Sequence, residues 1–279
     1  LVAALLSNST LQKLALSTPN GSAGSCSWLT PLFLALQVNN GLKELCIPGI
    51  DLTDEKVSIA MKRGLGRNST LESLDLSNIK SGNNDTSLWR DAFSFLRTNS
   101  ALKNFSMDFE QDVTEAHATA TRMEFPAVLC DNESLETLSI VSHYARFEDY
   151  LVFVTAIQPN TTLKKLQFQK LRCRIDKGEA KDIVSALQKN YGLEVVPAFS
   201  HGGENVRSIF DLNRAGRRYL VQDGSSISKG VDVLSAVSND INSVFLHLLE
   251  NPRLCNRTAV ETASLGNIEI ENATSTRPR

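Results

Sequence analysis

The chain has 279 residues with 29 basic and 31 acidic side chains, a net charge of −2, so it lacks the basic excess of a nucleic-acid binder. No run approaches the roughly 18 apolar residues of a membrane-spanning helix. Aromatics make up only 6%, which leaves the core to Leu, Ile and Val.

The first element is an apolar helical pattern, LVAALL, that begins at Leu1 with no basic stretch before it. It does not read as a signal peptide, and the sequence is expected to be part of a longer chain. Asn8 follows, then a short strand pattern L-x-x-L-x-L at Leu11, Leu14 and Leu16. The same order recurs at Leu42-Leu45-Ile47, Leu71-Leu74-Leu76, Leu102-Phe105-Met107, Leu135-Leu138-Ile140, Leu163-Leu166-Phe168 and Leu193-Val196-Ala198. The spacings are 31, 29, 31, 33, 28 and 30 residues, a period that marks a solenoid.

Two further columns hold the register. Asn stands three residues before the first Leu in all seven units, at Asn8, Asn39, Asn68, Asn99, Asn132, Asn160 and Asn190. Six residues before it stands Leu or Ile, often after a small residue: Ala4, Ala35, Gly64, Ala156 or Ala186. Apolar residues at 3–4 spacing ahead of the Asn, as in EAKDIVSALQKN, predict an amphipathic helix. The Asn is expected to end that helix in a left-handed turn and to satisfy nearby backbone groups. The period-2 Leu pattern then gives a strand with Leu inward. The small residue is expected to let the helix lie close to the strand.

Four of these asparagines, Asn8, Asn68, Asn132 and Asn160, also begin N-x-S/T acceptors. At Asn39, Asn99 and Asn190 the third position is Gly or Ala, so the invariant feature is the Asn and the structural reading prevails over glycosylation. Asn20, Asn84, Asn104, Asn256 and Asn272 also fit the acceptor pattern and keep a secreted location as the alternative to a cytoplasmic one. The five cysteines, Cys26, Cys46, Cys130, Cys173 and Cys255, are odd in number and form no C-x-x-C pair. A reducing compartment is expected, with no disulfide framework, metal site or cofactor.

The loops between strand and helix are uneven. Those at 17–30 and 77–87 are long and polar, and a basic segment over 163–181 carries Lys164, Lys165, Lys170, Arg172 and Arg174. After residue 199 the period stops. Helical patterns over 205–220 and 227–252 follow, the second broken near Ser238-Asn239-Asp240, where an acid can cap a new helix. The expected organisation is a repeat solenoid over 1–199, a helical C-terminal cap over 200–255, and a frayed tail over 256–279. Arg214, Arg217 and Arg218 suit a helix C-terminus. SISK at 226–229 lacks the companion elements of a serine hydrolase, and the histidines at 117, 143, 201 and 247 have no metal-ligand spacing.

The columns A-L-x-x-N-x-x-L-x-x-L-x-L resemble the ribonuclease-inhibitor type of leucine-rich repeat, also found in NOD-like receptors and Ran GTPase-activating proteins. The resemblance covers about residues 1–199. It implies an α/β fold, a right-handed horseshoe with parallel strands on the concave face and helices on the convex face. The irregular repeats followed by LNRAGRRYL also resemble repeat families of unicellular algae. One departure stands out: the family's Asn or Cys eight residues after the first Leu is replaced by Pro19, Ile50, Ile79, Glu110, His143 and Leu171. The asparagine ladder is expected to be absent.

The candidate site is the concave face. Its first row is Lys13, Glu44, Ser73, Asn104, Thr137 and Lys165; its middle row is Ala15, Cys46, Asp75, Ser106, Ser139 and Gln167. The third row is Ser17, Pro48, Ser77, Asp108, Val141 and Gln169. A non-enzymatic scaffold for a protein partner is expected. Glu44, Asp75 and Asp108 form an acidic centre with Ser106, and Lys165 with Gln167 forms a polar flank. The chain is expected to be monomeric by itself. The alternative is a regulator of a small GTPase acting through a rim arginine, Arg146 or Arg172.

Overall fold

The computed structural model describes residues 1–16, 28–52, 54–79, 91–109, 125–141, 147–169, 177–194, 203–215 and 227–251. The chain divides into two compact units, Leu1–Ser200 and His201–Arg279.

The first unit is an α/β horseshoe solenoid. Its strands are β1 (Lys13–Ala15), β2 (Glu44–Pro48), β3 (Ser73–Ile79), β4 (Asn104–Phe109), β5 (Thr137–Val141) and β6 (Lys165–Gln169). They form one open sheet in sequence order, every neighbouring pair parallel. α1 (Val2–Ser7) precedes them, α2 (Leu29–Leu36), α3 (Glu55–Arg67), a 3-10 turn (Ser94–Arg97), α4 (125–130) and α5 (Phe147–Ala156) run between them, and α6 (Lys177–Gln188) follows β6. Successive helices pack on one another, as α1 on α2, α2 on α3 and α5 on α6.

The period-2 pattern decides which side of the sheet is covered. In the second to fifth repeats the first Leu and its two followers are buried, as in Leu71, Leu74 and Leu76 or Leu135, Leu138 and Ile140, and Leu163, Leu166 and Leu193 continue the pattern. Each such side chain contributes about 1.5–3 kcal/mol of apolar burial. In the first repeat Leu11 is 38% exposed. The expectation of an aliphatic core needs correction. Phe93, Phe95, Phe105, Phe125 and Phe153 are all buried under the fourth to sixth repeats. Phe93 meets Phe125 edge-on at 5.3 Å between centroids, and Phe125 stacks on Phe153 at 6.1 Å. A low aromatic total says nothing about where the aromatics collect.

The asparagine column is itself a ladder. Asn99 Nδ2 donates to Leu65 O (2.7 Å) and Asn68 O (3.0 Å), both in the preceding repeat. Its Oδ1 accepts from Ala101 N (2.9 Å) and Leu102 N (2.7 Å) in its own repeat. Asn39, Asn68, Asn160 and Asn190 repeat this four-bond pattern. In the fifth repeat Asn132 bonds Leu96 O, and the Ser134 hydroxyl takes Asn99 O instead. A ladder is therefore present, moved from the strand-to-helix loop to the helix-to-strand turn. The vacated column is apolar where it is described, with Ile50 and Ile79 fully buried.

Two expectations about this turn change. The Asn backbone is extended, not left-handed: φ −95°, ψ 116° at Asn8 and φ −72°, ψ 126° at Asn68. The chain leaves the helix directly into the strand approach, and the side chain, not a left-handed turn, satisfies the loose backbone groups. The acceptor pattern is also structural in both of its members. Thr70 Oγ1 donates to Asn39 O and Thr162 Oγ1 to Asn132 O, while a Cβ at Gly41 would stand 2.5 Å from Ser9 O. The Nδ2 atoms that a glycan would occupy on Asn68 and Asn160 already serve two carbonyls each.

The small-residue column serves helix against helix. A Cβ on Gly64 of α3 would lie 1.8 Å from Phe33 O of α2. In the same column the Ala156 carbonyl accepts from the Cys130 thiol of the preceding helix at 2.6 Å.

In the seventh repeat Glu194 N still donates to Lys164 O (2.7 Å); its expected strand beyond Glu194 lies outside the described residues. So do most of the loops at 17–30 and 77–87, Cys26, Cys173, Cys255, Arg217, Arg218, His117, His143, His201, Ser226 and the tail over 256–279.

The second unit holds α7 (Gly203–Arg214), α8 (Ile227–Ala236) and α9 (Ile241–Glu250). Leu212, Val233 and Val237 form its buried cluster, with Ala215, Val244 and Leu246 against it. The break before α9 falls where the sequence places it. Asp240 caps α9, accepting from Asn242 N (3.2 Å) and Ser243 N (3.3 Å). His247 is buried, with Nε2 3.2 Å from Gly230 O, so it is a core histidine. Arg214 closes α7 and pairs with Asp211 at 2.6 Å.

The Ser243 hydroxyl, helped by the Ser208 hydroxyl and the two backbone N–H groups, holds the Asp240 carboxyl below its ordinary value. A depressed folded-state value stabilises the fold above the ordinary carboxylate range, and the gain is lost as pH falls through it. Asp240→Ala is expected to cost about 1 kcal/mol at pH 7. Parallel denaturant titrations of parent and variant should show that gap closing below about pH 4.

Candidate functional site: the open face of the sheet

The register builds the site row by row. Lys13, Glu44, Ser73, Asn104, Thr137 and Lys165 are consecutive partners across the six strands. Ala15, Cys46, Asp75, Ser106, Ser139 and Gln167 form the second row in the same way. These rows alternate with the buried leucines, so their side chains lie on the face away from the core. The third row is not continuous. Leu76 pairs with Met107 but Ile79 with Phe109, so β3 carries one extra residue and Ser77 is displaced from Asp108.

The expected acidic centre separates into unlike members. Glu44 is exposed, and its Oε2 lies 2.6 Å from Lys13 Nζ. That contact raises the Lys13 ammonium above its ordinary value, first through the hydrogen bond and then through the charge. Asp75 is half-buried in the second row. Among the described residues it accepts one long contact, from the Cys46 thiol at 3.8 Å. Burial, and then the Asp75 carboxylate, pushes that thiol up, so Cys46 stays protonated at neutral pH. Asp108 is half-buried, and its Oδ1 is enclosed with no hydrogen-bond partner among the described residues.

Other acids of the unit have cations beside them: Glu72 has Lys43 (2.9 Å), Asp91 has Lys62 (3.3 Å), Asp131 has Arg97 (3.3 Å) and Glu136 has Lys164 (2.9 Å). Among the described residues no cation pairs with Asp75 or Asp108. Ser106 stands directly across from Asp75, on the strand that carries Asp108. Lys165 and Gln167 are half-buried on β6, three strand spacings from β3, or roughly 14 Å. They flank the acids without touching them.

The sequence reading misses the row one residue ahead of these, where Lys43 meets Glu72 and Lys164 meets Glu136. A signal for it exists: comparing that column between repeats exposes opposite charges in neighbours.

Arg146 and Arg172, the expected rim arginines, lie outside the described residues. Among the described residues no group of three His, Cys, Asp or Glu side chains could hold a metal ion. No described helix is long and apolar enough to cross a membrane.

No protein-family model matches the chain, and no curated protein matches it. Among solved structures it is similar to the tropomodulin C-terminal domain of Caenorhabditis elegans, at 14% identity and a TM-score of 0.43, over 72% of this chain and 99% of that one. It is also similar to the leiomodin-1 Actin-Binding Site 2, at 11% identity and a TM-score of 0.30, over 80% of this chain and 92% of that one.

Proposed function

We propose that the chain is a non-enzymatic protein-binding scaffold, and that its partner lies on the open face of the sheet. The observation that carries this reading is the pair of carboxylates in the middle of that face, Asp75 and Asp108, with which no cation among the described residues pairs. Leaving charge unpaired and partly desolvated costs stability, and the same chain neutralises acids on either side of it. Such a cost is commonly retained where a partner supplies the missing charge. The partner then presents a lysine or arginine to β3 and β4, with Ser73, Ser106 and Ser139 supplying neutral hydrogen bonds around it. Six strands held in register form a preformed surface, so little ordering entropy is lost on binding.

Asp75→Asn with Asp108→Asn separates binding from folding. The double variant is expected to match or exceed the parent in thermal stability, because each amide removes an unpaired charge at constant shape. It is expected to bind its partner at least about tenfold more weakly, a loss of ~1.4 kcal/mol. Affinity purification with parent, double variant and the charge-reversed Asp75→Lys/Asp108→Lys chain tests this. Recovery of the same proteins in the same amounts by all three chains removes the open face as the binding surface.

A further inference from the structure

The residue that follows the first Leu of each repeat is Gln12, Lys43, Glu72, Lys103, Glu136, Lys164 and Glu194. From the second repeat onward its sign alternates without a break. The backbone stacks these residues directly. Each N–H from Lys43 to Glu194 donates to the carbonyl of its counterpart one repeat earlier, at 2.7–2.9 Å. Lys43 Nζ reaches Glu72 Oε1 at 2.9 Å, and Lys164 Nζ reaches Glu136 Oε2 at 2.9 Å. The Lys43 ammonium holds the Glu72 carboxyl below its ordinary value, and Lys103 on the other side adds to the effect.

We propose that this row is a matching code between repeats: it sets by sign which repeat stacks beside which. The columns of leading leucines and asparagines cannot do so. Leu42, Leu71, Leu102, Leu135, Leu163 and Leu193 are the same residue in the same buried place, and the asparagines below them are the same as well. A repeat that skipped its neighbour and paired with the next one along would still find a buried Leu at the head of the strand and an Asn three residues before it. It would also bring Lys43 against Lys103, or Glu72 against Glu136. Like charges one strand spacing apart repel, so the one-repeat slip is disfavoured where the leading Leu and the Asn are the same in every repeat. Exposed pairs of this kind add little to stability individually; their effect lies in the difference between right and wrong neighbours.

One substitution read in two chains tests this. In the parent, Lys43→Glu sets a second carboxylate beside Glu72, and the urea midpoint is expected to fall by about 0.3–0.5 M at low salt. The second chain carries Glu72→Lys, Lys103→Glu, Glu136→Lys, Lys164→Glu and Glu194→Lys. Its row is inverted everywhere except at Lys43, and there the same Lys43→Glu is expected to raise the midpoint. Both shifts should shrink by more than half in 1 M salt, where the Debye length is about 3 Å. The proposal is overturned by the same sign of shift in both chains, by no shift in either, or by an inverted chain that does not fold.

Discussion

Asn99→Ala is expected to lower the stability of the repeat unit by about 3–5 kcal/mol, one of the two largest losses for a single substitution in this chain. The size of the loss follows from the groups left behind. The side chain is 5% exposed and makes four hydrogen bonds, two to carbonyls of the preceding repeat and two from backbone N–H groups of its own. Alanine leaves three backbone groups buried and the Ala101 N–H partly buried without their partner, each at a cost of about 1–3 kcal/mol before relaxation and entering water reduce it. For a fold with a net stability of about 5–15 kcal/mol, that is a large fraction. Equilibrium urea unfolding monitored by far-UV circular dichroism measures it directly.

Asn8→Ala is the internal comparison. Asn8 accepts the same two N–H groups, from Thr10 (2.9 Å) and Leu11 (2.7 Å), but its bonds are exposed. Water can replace them, and a loss of about 1 kcal/mol or less is expected. A second variant, Asn99→Asp, separates donor from shape. The carboxylate keeps the acceptor side and turns an oxygen toward Leu65 O and Asn68 O. Burial and those two carbonyls favour the protonated acid, so the folded-state value rises above the unfolded one. A raised value means that stability is greatest below the ordinary carboxylate range and falls as pH rises through the folded value. Asn99→Asp is therefore expected to be more stable at pH 4 than at pH 7. Equal losses for Asn8→Ala and Asn99→Ala, or an Asn99→Asp chain indifferent to pH, would show that the ladder does not hold the repeats together.

The contrast between Asn8 and Asn99 also shows what the linear sequence carries and what it omits. Both stand in the same column, and periodicity locates both without error, because a helix period of 3.6 and a strand period of 2 leave a fixed trace in any chain that must cover one face. The trace identifies a face, not the neighbour that occupies it. Sequence alone therefore sets the small-residue column against the strand, whereas Gly64 in fact meets the preceding helix. The extra residue in β3 leaves no mark, because Ser77 and Asn78 are both ordinary strand-edge polar residues. The face of the site is legible as three rows, but its chemistry is not. The rows already set Lys13 beside Glu44 and Cys46 beside Asp75; what they leave out is distance, a 2.6 Å ion pair for Glu44 against a 3.8 Å thiol contact for Asp75.

Gly64→Ala is the second large effect, expected at about 3 kcal/mol or more. The new methyl group would stand 1.8 Å from the Phe33 carbonyl oxygen and 2.6 Å from its carbonyl carbon. Those atoms belong to the backbone of α2, so no rotamer change clears the space. Relief requires α3 to move away from α2 by more than an ångström, and every side chain between them loses dispersion contact when it does. Phe33, Leu36, Met61 and Leu65 are all fully or almost fully buried on these two helices and would share that loss. Overpacking of this kind usually costs about 1–3 kcal/mol, and the upper end applies where backbone meets backbone. Gly66, two residues along the same helix, is the control. There an added Cβ would meet only the Thr98 hydroxyl at 3.0 Å, with Phe95 atoms at 3.8 Å. That hydroxyl is the end of a side chain and can turn. Alanine also gains about 1 kcal/mol of helix propensity over glycine, so Gly66→Ala is expected to fall within about 0.5 kcal/mol of the parent. Identical chemistry two positions apart then gives opposite outcomes in the same urea titration. A Gly64→Ala chain as stable as the Gly66→Ala chain would mean that α2 and α3 are not in backbone contact, and that the small-residue column needs another explanation.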